Sequence, residues 1–255
     1  MGIKKGKTLC IFSSKGGVGK TTNIINLAGV AKQLDKKVLI IDFDLYSGGV
    51  ATSLNVKVKK SVYNMGLDLI NNNYTSIDDY AINITENIDV LASPIDPRES
   101  NKTTISMIER VIAETTFHYD LILIDTNHAL NEINLCLLGI VDNILLFVTN
   151  DPIDLKNTRS LTSIFEKTEM KNYKILLNNS RDPFKNYFSM YDIKHAIKHN
   201  IDYTLSNQLF LRDIENNQMK GKIISLKNDF PSKYPEDYQS LLTIITDAMD
   251  GEIDE

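Results

Sequence analysis

Cysteine is scarce in this sequence. Two occur among 255 residues, Cys10 and Cys136, far apart and in no Cys-x-x-Cys pair. Neither a zinc knuckle nor an iron–sulfur centre is signalled. Isolated thiols of this kind suit a reducing cytoplasm, where they pack as small apolar groups. Long apolar runs are missing too: none approaches the roughly 18–20 residues that span a bilayer. The opening Met-Gly-Ile-Lys-Lys-Gly-Lys is basic, but the apolar stretch behind it is short and runs into a glycine-rich segment, so no signal peptide is expected. The tail from Asp247 to Glu255 is acidic and lacks the basic amphipathic character of a membrane-surface anchor. Nor is there an excess of positive charge: 28 Lys and Arg against 33 Asp and Glu give a net charge of −5. That argues against a surface that grips nucleic acid all over, and leaves room only for a local basic patch. No internal repeat, linker or low-complexity block divides the chain.

What is present is ordinary in amount and regular in arrangement. Hydrophobic residues make up 42% and charged residues 24%, as in a globular protein. The length fits one large α/β domain over 1–255. Short apolar runs, each followed by a longer segment of helical period, recur along the chain. The runs are 8–13, 38–42, 89–92, 121–125, 144–149 and 174–178, with a weak one at 201–205. Runs of β-branched residues and leucine without polar alternation indicate strands covered on both faces. Segments 20–34, 102–117, 154–170 and 237–249 read as amphipathic helices, the last two announced by Pro152 and Pro235. Asn71-Asn72-Asn73 reads as a helix end or turn. The pattern predicts an α/β fold: an open, mostly parallel sheet of about seven to eight strands with helices on both faces.

The segment Lys15-Gly-Gly-Val-Gly-Lys20-Thr21-Thr22 follows a predicted strand and opens a predicted helix, the context a phosphate loop requires. Gly16, Gly17 and Gly19 let the backbone curl so that its N–H groups, Val18 among them, converge on an anion. The helix N-terminus behind adds a favourable dipole. Lys20 can reach the β- and γ-phosphates, and the Thr21 hydroxyl can ligate Mg²⁺. ATP or ADP with Mg²⁺ is therefore the expected ligand. Two strand ends carry carboxylates: Asp42 and Asp44 after 38–42, and Asp125 after 121–125. Ligands of open parallel sheets bind at the carboxyl ends of strands. An aspartate there can organise Mg²⁺ through water or orient an attacking water.

Lys15 at the front of the loop is not required by the general phosphate-loop pattern. With it, residues 15–22 resemble the deviant Walker A motif of the MinD/ParA family of dimerising ATPases. The resemblance implies a P-loop NTPase fold, a homodimer formed on ATP binding, and a Lys15 that crosses to the partner's nucleotide. It makes Lys15, Lys20 and Asp44 the catalytic set, with Asp44 positioning water. It makes Asp125 the Walker B aspartate and Asp42 its companion near the metal, alongside Thr21. Asn178, ending the run 174–178, would contact adenine, and the stretch 214–224 would lie near the base. Asn26, one turn into the first helix, agrees with the family habit. Two places depart from it. After the Walker B aspartate the family usually reads Asp-x-Pro-Pro, where this chain has Asp125-Thr-Asn127-His128. After the paired aspartates partition ATPases usually read Pro-Gln, where this chain has Leu45-Tyr-Ser-Gly-Gly49. His128 is read as a solvated residue, with a contact to the γ-phosphate region as the alternative.

The segment from Asp42 to Ala51 looks most like the TadZ/CpaE branch, MinD-like ATPases that position pilus machinery. The chain starts almost at the first strand, so the receiver-like N-terminal domain of some members is not expected. The function implied is a slow, Mg-dependent ATPase acting as a positioning switch. It would be cytoplasmic, read or stimulated by a protein partner, and recruited through that partner to a membrane or cell pole. A DNA partition ATPase is the first alternative, with Lys57, Lys59, Lys60, Lys194 and Lys198 as its basic residues; nucleic acid is the less favoured partner. A nucleotide-binding scaffold with negligible hydrolysis is the second. A metal-cluster carrier lacks its paired cysteines here, and a tyrosine kinase lacks its C-terminal tyrosine cluster.

Overall fold

A computed structural model describes residues 5–179, 187–208, 217 and 220–250. Eight strands form one sheet in the order β3-β4-β2-β5-β1-β6-β7-β8. They are β1 Lys7–Ser13, β2 Val38–Asp42, β3 Ile82–Thr85, β4 Ile88–Leu91, β5 Leu121–Asp125, β6 Asn143–Val148, β7 Tyr173–Asn178 and β8 Tyr203–Leu205. All neighbours pair parallel except β3, which runs antiparallel on β4 at one edge. The described helices are α1 Lys20–Gln33, α2 Gly49–Ser53, α3 Val62–Ile70, α4 Pro97–Ser100, α5 Ile105–Thr115, α6 Glu132–Ile140, α7 Pro152–Lys167, α8 Met190–Ile197, α9 Phe230–Lys233 and α10 Pro235–Asp250. The expected architecture is thus present, with helices on both faces.

Alternation along the strands divides the core in two. Leu9 and Ile11 of β1 pack with α1, α2, α9 and α10 on one face. Cys10 and Phe12 of the same strand point the other way, toward α3, α5, α6, α7 and α8. Every residue of β2 and β5 is buried, which is why both strands read as unbroken apolar runs: a strand covered on both faces has no wet side to encode.

Helix starts follow local chemistry. Asp151 caps α7 by accepting from the backbone N–H of Ile153 and Asp154, each at 3.0 Å, and Pro152 occupies the first turn, where its missing N–H costs nothing. Asn71 ends α3, and Asn72 takes a φ of +58°, as the Asn-rich turn predicts. Strand register decides which side chains meet at the carboxyl edge of the sheet. β2 and β5 are in register so that Asp42 lies beside Asp125, and Asp125 also pairs with Ile11 of β1. The loops leaving β1, β2 and β5 therefore meet at one edge of the sheet.

Candidate phosphate-binding site

The loop between β1 and α1 is glycine-built for two distinct reasons. Gly17 and Gly19 hold φ of +76° and +97°, a region that side chains resist. Gly19 is also crowded, since a Cβ there would lie 2.8 Å from the Asn178 amide nitrogen. That nitrogen donates to the Val18 carbonyl at 2.8 Å. Asn178 is thus spent, in part, on holding the loop from the end of β7, a task that the adenine-contact expectation did not include. The loop is stitched from within as well: Lys20 Nζ donates to the Ser13 hydroxyl at 2.9 Å, and Ser13 donates to the Lys15 carbonyl at 2.8 Å. Burial lowers the pKa of Lys20, while Asp125, Asp44 and Asp154 pull it back up. A lysine held this way has no nearby carboxylate bonded to it and is poised for an anion.

Thr21 and Asp125 form the centre of the site. The Thr21 hydroxyl donates to Asp125 Oδ2 at 2.6 Å. The other oxygen, Oδ1, is buried with no hydrogen-bond partner. Burial raises the carboxyl pKa to about 6, against the lowering pull of Thr21 and Lys20. A buried acceptor left bare is costly, and a cation or its bound water would satisfy it. The donor set, one threonine hydroxyl and one carboxylate, fits Mg²⁺, which takes few protein ligands and fills its octahedron with water and phosphate oxygens. Among the described residues no three His, Cys, Asp or Glu side chains cluster as a self-contained metal cage.

Asp42 is bonded to the backbone. Its two oxygens accept from the backbone N–H of Asp44 and of Val50, both at 3.1 Å, and the side chain is fully buried. Its pKa is raised well above the usual range by burial and by Asp125 beside it. Asp42 therefore shapes the turn into α2 from beside Asp125. Asp44, half-buried, accepts from the Ser47 N–H at 3.3 Å. The Gly48-Gly49 pair then brings the backbone onto Thr21: a Cβ on Gly49 would sit 3.1 Å from Thr21 Cγ2. That close approach is the physical reason for glycine at position 49.

Lys15 pairs with Asp151, Nζ to Oδ2 at 2.9 Å, at the start of α7. Next to it Ser14 donates to Asp154 Oδ1 at 2.9 Å, and Asp154 Oδ2 accepts from the Thr149 N–H and hydroxyl at 2.7 and 2.6 Å. The front of the loop is thereby joined to the N-terminus of α7. Thr22 contributes its carbonyl to the Asn26 side-chain N–H at 3.0 Å. Sequence reasoning missed Ser13, Ser14, Asp151 and Asp154; the Asp151-Pro152 helix start was the one available clue. Of the late stretch 214–224, residues 214–216, 218 and 219 lie outside the described residues.

The sequence profile of a family described as "AAA domain" matches residues 6–179. An uncharacterized ATP-binding protein of Methanocaldococcus jannaschii is 30% identical over 141 residues, covering 55% of this chain and 52% of that protein. The matched region thus spans about half the length of that relative. A ParA family ATPase from Chlorobium tepidum superposes with a TM-score of 0.80 at 16% identity, covering 95% of this chain and 99% of that one. The septum site-determining protein MinD of Pyrococcus horikoshii, solved with Mg-ADP, gives 0.74 at 19% identity, with 94% of each chain covered. The two structures, of ParA and MinD proteins, establish the likeness of fold, and the profile covers the loop, both carboxylate strands and Asn178; the chain belongs to this AAA-domain family.

Proposed function

We propose that the chain is a single Mg-dependent ATPase domain that dimerises on ATP and acts as a switch. The observation that carries this is the Thr21–Asp125 pair with its bare, buried Oδ1, set directly behind a phosphate loop. In this reading the N–H groups of residues 16–19 and the α1 N-terminus hold the phosphates, and Lys20 leaves Ser13 to meet them. Thr21 and Asp125 would hold magnesium, which would supply charge neutralisation to the phosphates. Asp44 orients a water for in-line attack on the γ-phosphorus and takes up its proton, as the bond to the bridging oxygen breaks. Lys15 gives up its pairing with Asp151 to reach the partner subunit's nucleotide. Because that pair is half-exposed, releasing it costs at most about 1 kcal/mol. Loss of the γ-phosphate then removes the bridging charge and frees the dimer.

The role served is positioning, with a pilus-assembly machine as the proposed client and a protein partner that recruits the switch to a membrane or pole. Among the described residues no helix is long and apolar enough to cross a membrane. A partition ATPase would need one basic stripe. Lys57, Lys59 and Lys60 precede α3, which packs with β2 and β4, whereas Lys194 lies in α8 and Lys198 caps its C-terminus, on the side of β7. At about 4.8 Å per strand these groups lie far apart across the sheet.

The test is phosphate release and ATP-dependent dimerisation in the intact chain. Asp44→Ala is expected to lower phosphate release by about 100-fold or more while still binding nucleotide, and Lys15→Ala to abolish the ATP-dependent dimer. Equal background rates in wild type and Asp44→Ala would show a scaffold instead of an enzyme.

A further inference from the structure

Gly16, the first glycine of the loop, is not required by its backbone angle. Gly16 is absent from the positive-φ glycines, which among the described residues are Gly17, Gly19, Gly48 and Gly221. Its constraint is a neighbour: a Cβ on Gly16 would lie 3.3 Å from both Cε1 and Nδ1 of His128. That is tighter than carbon normally tolerates, so the imidazole edge rests against the front turn of the loop, beside Lys15.

The turn that presents His128 is fixed on both sides of it. The Thr126 hydroxyl donates to the Ile11 carbonyl at 2.7 Å, tying the turn to β1. Asn127 Oδ1 accepts from the Ala129 N–H at 2.9 Å and from the Asn134 side-chain N–H at 2.8 Å. The Asn134 amide nitrogen also donates to the Ala129 carbonyl at 2.6 Å, and the side chain is fully buried. Asn131 caps α6 by accepting from the Asn134 N–H at 2.9 Å. The Thr126 hydroxyl on one side and the Asn127–Asn134 amide bonds on the other leave the exposed imidazole as the group this turn displays toward the loop. Asn127, in place of the proline that the family usually carries, is what makes the clamp: a proline has no side-chain acceptor for Ala129 and Asn134.

We infer that His128 is a contact for the terminal phosphate of a bound nucleoside triphosphate, and that it favours triphosphate over diphosphate. The inference rests on the proposed nucleotide binding by the same loop. Lys20 approaches the loop from its buried side, where it bonds Ser13; His128 lies over the exposed front turn. An anion cradled by the loop amides is thus approached by donors from two directions. A ring N–H on a phosphate oxygen is a charge-assisted hydrogen bond. A diphosphate lacks the group that this N–H would reach, so the contact discriminates between the two nucleotides as well as adding affinity. His128 acts within its own subunit, on the nucleotide held by the same loop.

The experiment is equilibrium titration of the full chain with ADP and with a non-hydrolysable ATP analogue, in Mg²⁺, for wild type, His128→Ala, His128→Gln and Lys20→Ala. His128→Ala is expected to bind the analogue about tenfold more weakly while its ADP affinity stays within about twofold of wild type. His128→Gln, which keeps an N–H donor, is expected to recover part of the loss. ADP binding reports that the variant is folded. Equal losses for both nucleotides would mean that the ring only props the loop, and would overturn the inference, as would unchanged analogue affinity. If wild type binds neither nucleotide, the nucleotide reading itself fails and takes this inference with it. If Lys20→Ala loses both nucleotides while His128→Ala loses none, the nucleotide reading stands and this inference alone falls.

Discussion

Asp125 carries the sharpest conflict between stability and use. Its carboxyl is buried at the end of β5 with one oxygen unpartnered, and its pKa rises from 3.8 to about 6. The folded protein holds that proton more tightly than the unfolded chain does. Ionising the group therefore costs stability as pH rises from about 4 to about 6, and the cost persists above. Two pKa units correspond to about 3 kcal/mol, an upper estimate for this group at neutral pH. Asp125→Asn keeps an acceptor for the Thr21 hydroxyl and removes the buried charge. In nucleotide-free protein it is expected to raise stability by about 1–3 kcal/mol at pH 7, and by almost nothing at pH 4. Urea unfolding at the two pH values checks this; a gain that is the same at both would mean that the buried charge is not its source. The same substitution is expected to weaken Mg-nucleotide binding, because it removes the charge that a cation would neutralise. Lys20 presents the mirror case, a buried cation whose pKa is lowered and which awaits an anion.

Elements of the fold were legible in proportion to how local their causes are. β2 and β5 fall where their apolar runs place them, and α1 begins at Lys20 as the loop requires. β3 went unread because Ile82-Asn-Ile-Thr85 is a short, half-exposed edge strand, stabilised by pairing with β4 and carrying no pattern of its own. α2 and α6 were missed for a related reason: each is short, and each is held by contacts distant in sequence. The site divides the same way. The loop and both carboxylate strands could be read from residue spacing, whereas Asp151, Asp154 and the clamp around His128 depend on which strand ends the sheet brings together. Asn26 shows how a residue can be noticed in sequence and understood only in the fold. It lies mid-helix in α1, bonds the Thr22 carbonyl one turn back, and accepts from the Ser225 N–H at 3.2 Å; Ser225 in turn donates to the Asn26 carbonyl at 2.8 Å. It fastens the helix behind the phosphate loop to the C-terminal third of the chain. Asn26→Ala leaves a buried N–H without a partner and is expected to cost about 1–3 kcal/mol in urea unfolding. A cost under about 0.5 kcal/mol would show that the surface of α1 tolerates its loss as an ordinary exposed site does.

At the scale of the whole molecule, the edge of the sheet that carries the loop also carries much of the exposed apolar surface. Tyr46, Ile95, Leu130, Ile153 and Tyr191 are exposed by 60%, 74%, 46%, 63% and 76%. The first four follow the carboxyl ends of β2, β4, β5 and β6 respectively, and Tyr191 lies in α8. A stable protein–protein interface buries roughly 1,200–2,000 Å² in total, and large exposed apolar side chains supply the kind of area that such a face buries. The proposed dimer puts these side chains to use, and the nucleotide makes the charged site tolerable. Each chain carries a formal charge of −5, so the proposed dimer needs local pairing, Lys15 of each copy with phosphate on the other, to offset the repulsion of like-charged chains. Ile153 is the informative position, because it sits two residues from Asp151, the pairing partner of Lys15. Its side chain makes no part of the loop, and its N–H only receives the Asp151 cap. Ile153→Asp is expected to leave ADP affinity unchanged and to abolish the ATP-dependent dimer in sedimentation velocity. It is also expected to make the thermal midpoint in ATP independent of protein concentration, where the wild-type midpoint rises with concentration, because only a coupled dimer links stability to protomer concentration by mass action. A variant that still dimerises would move the interface away from this edge and remove the geometric basis for a crossed Lys15.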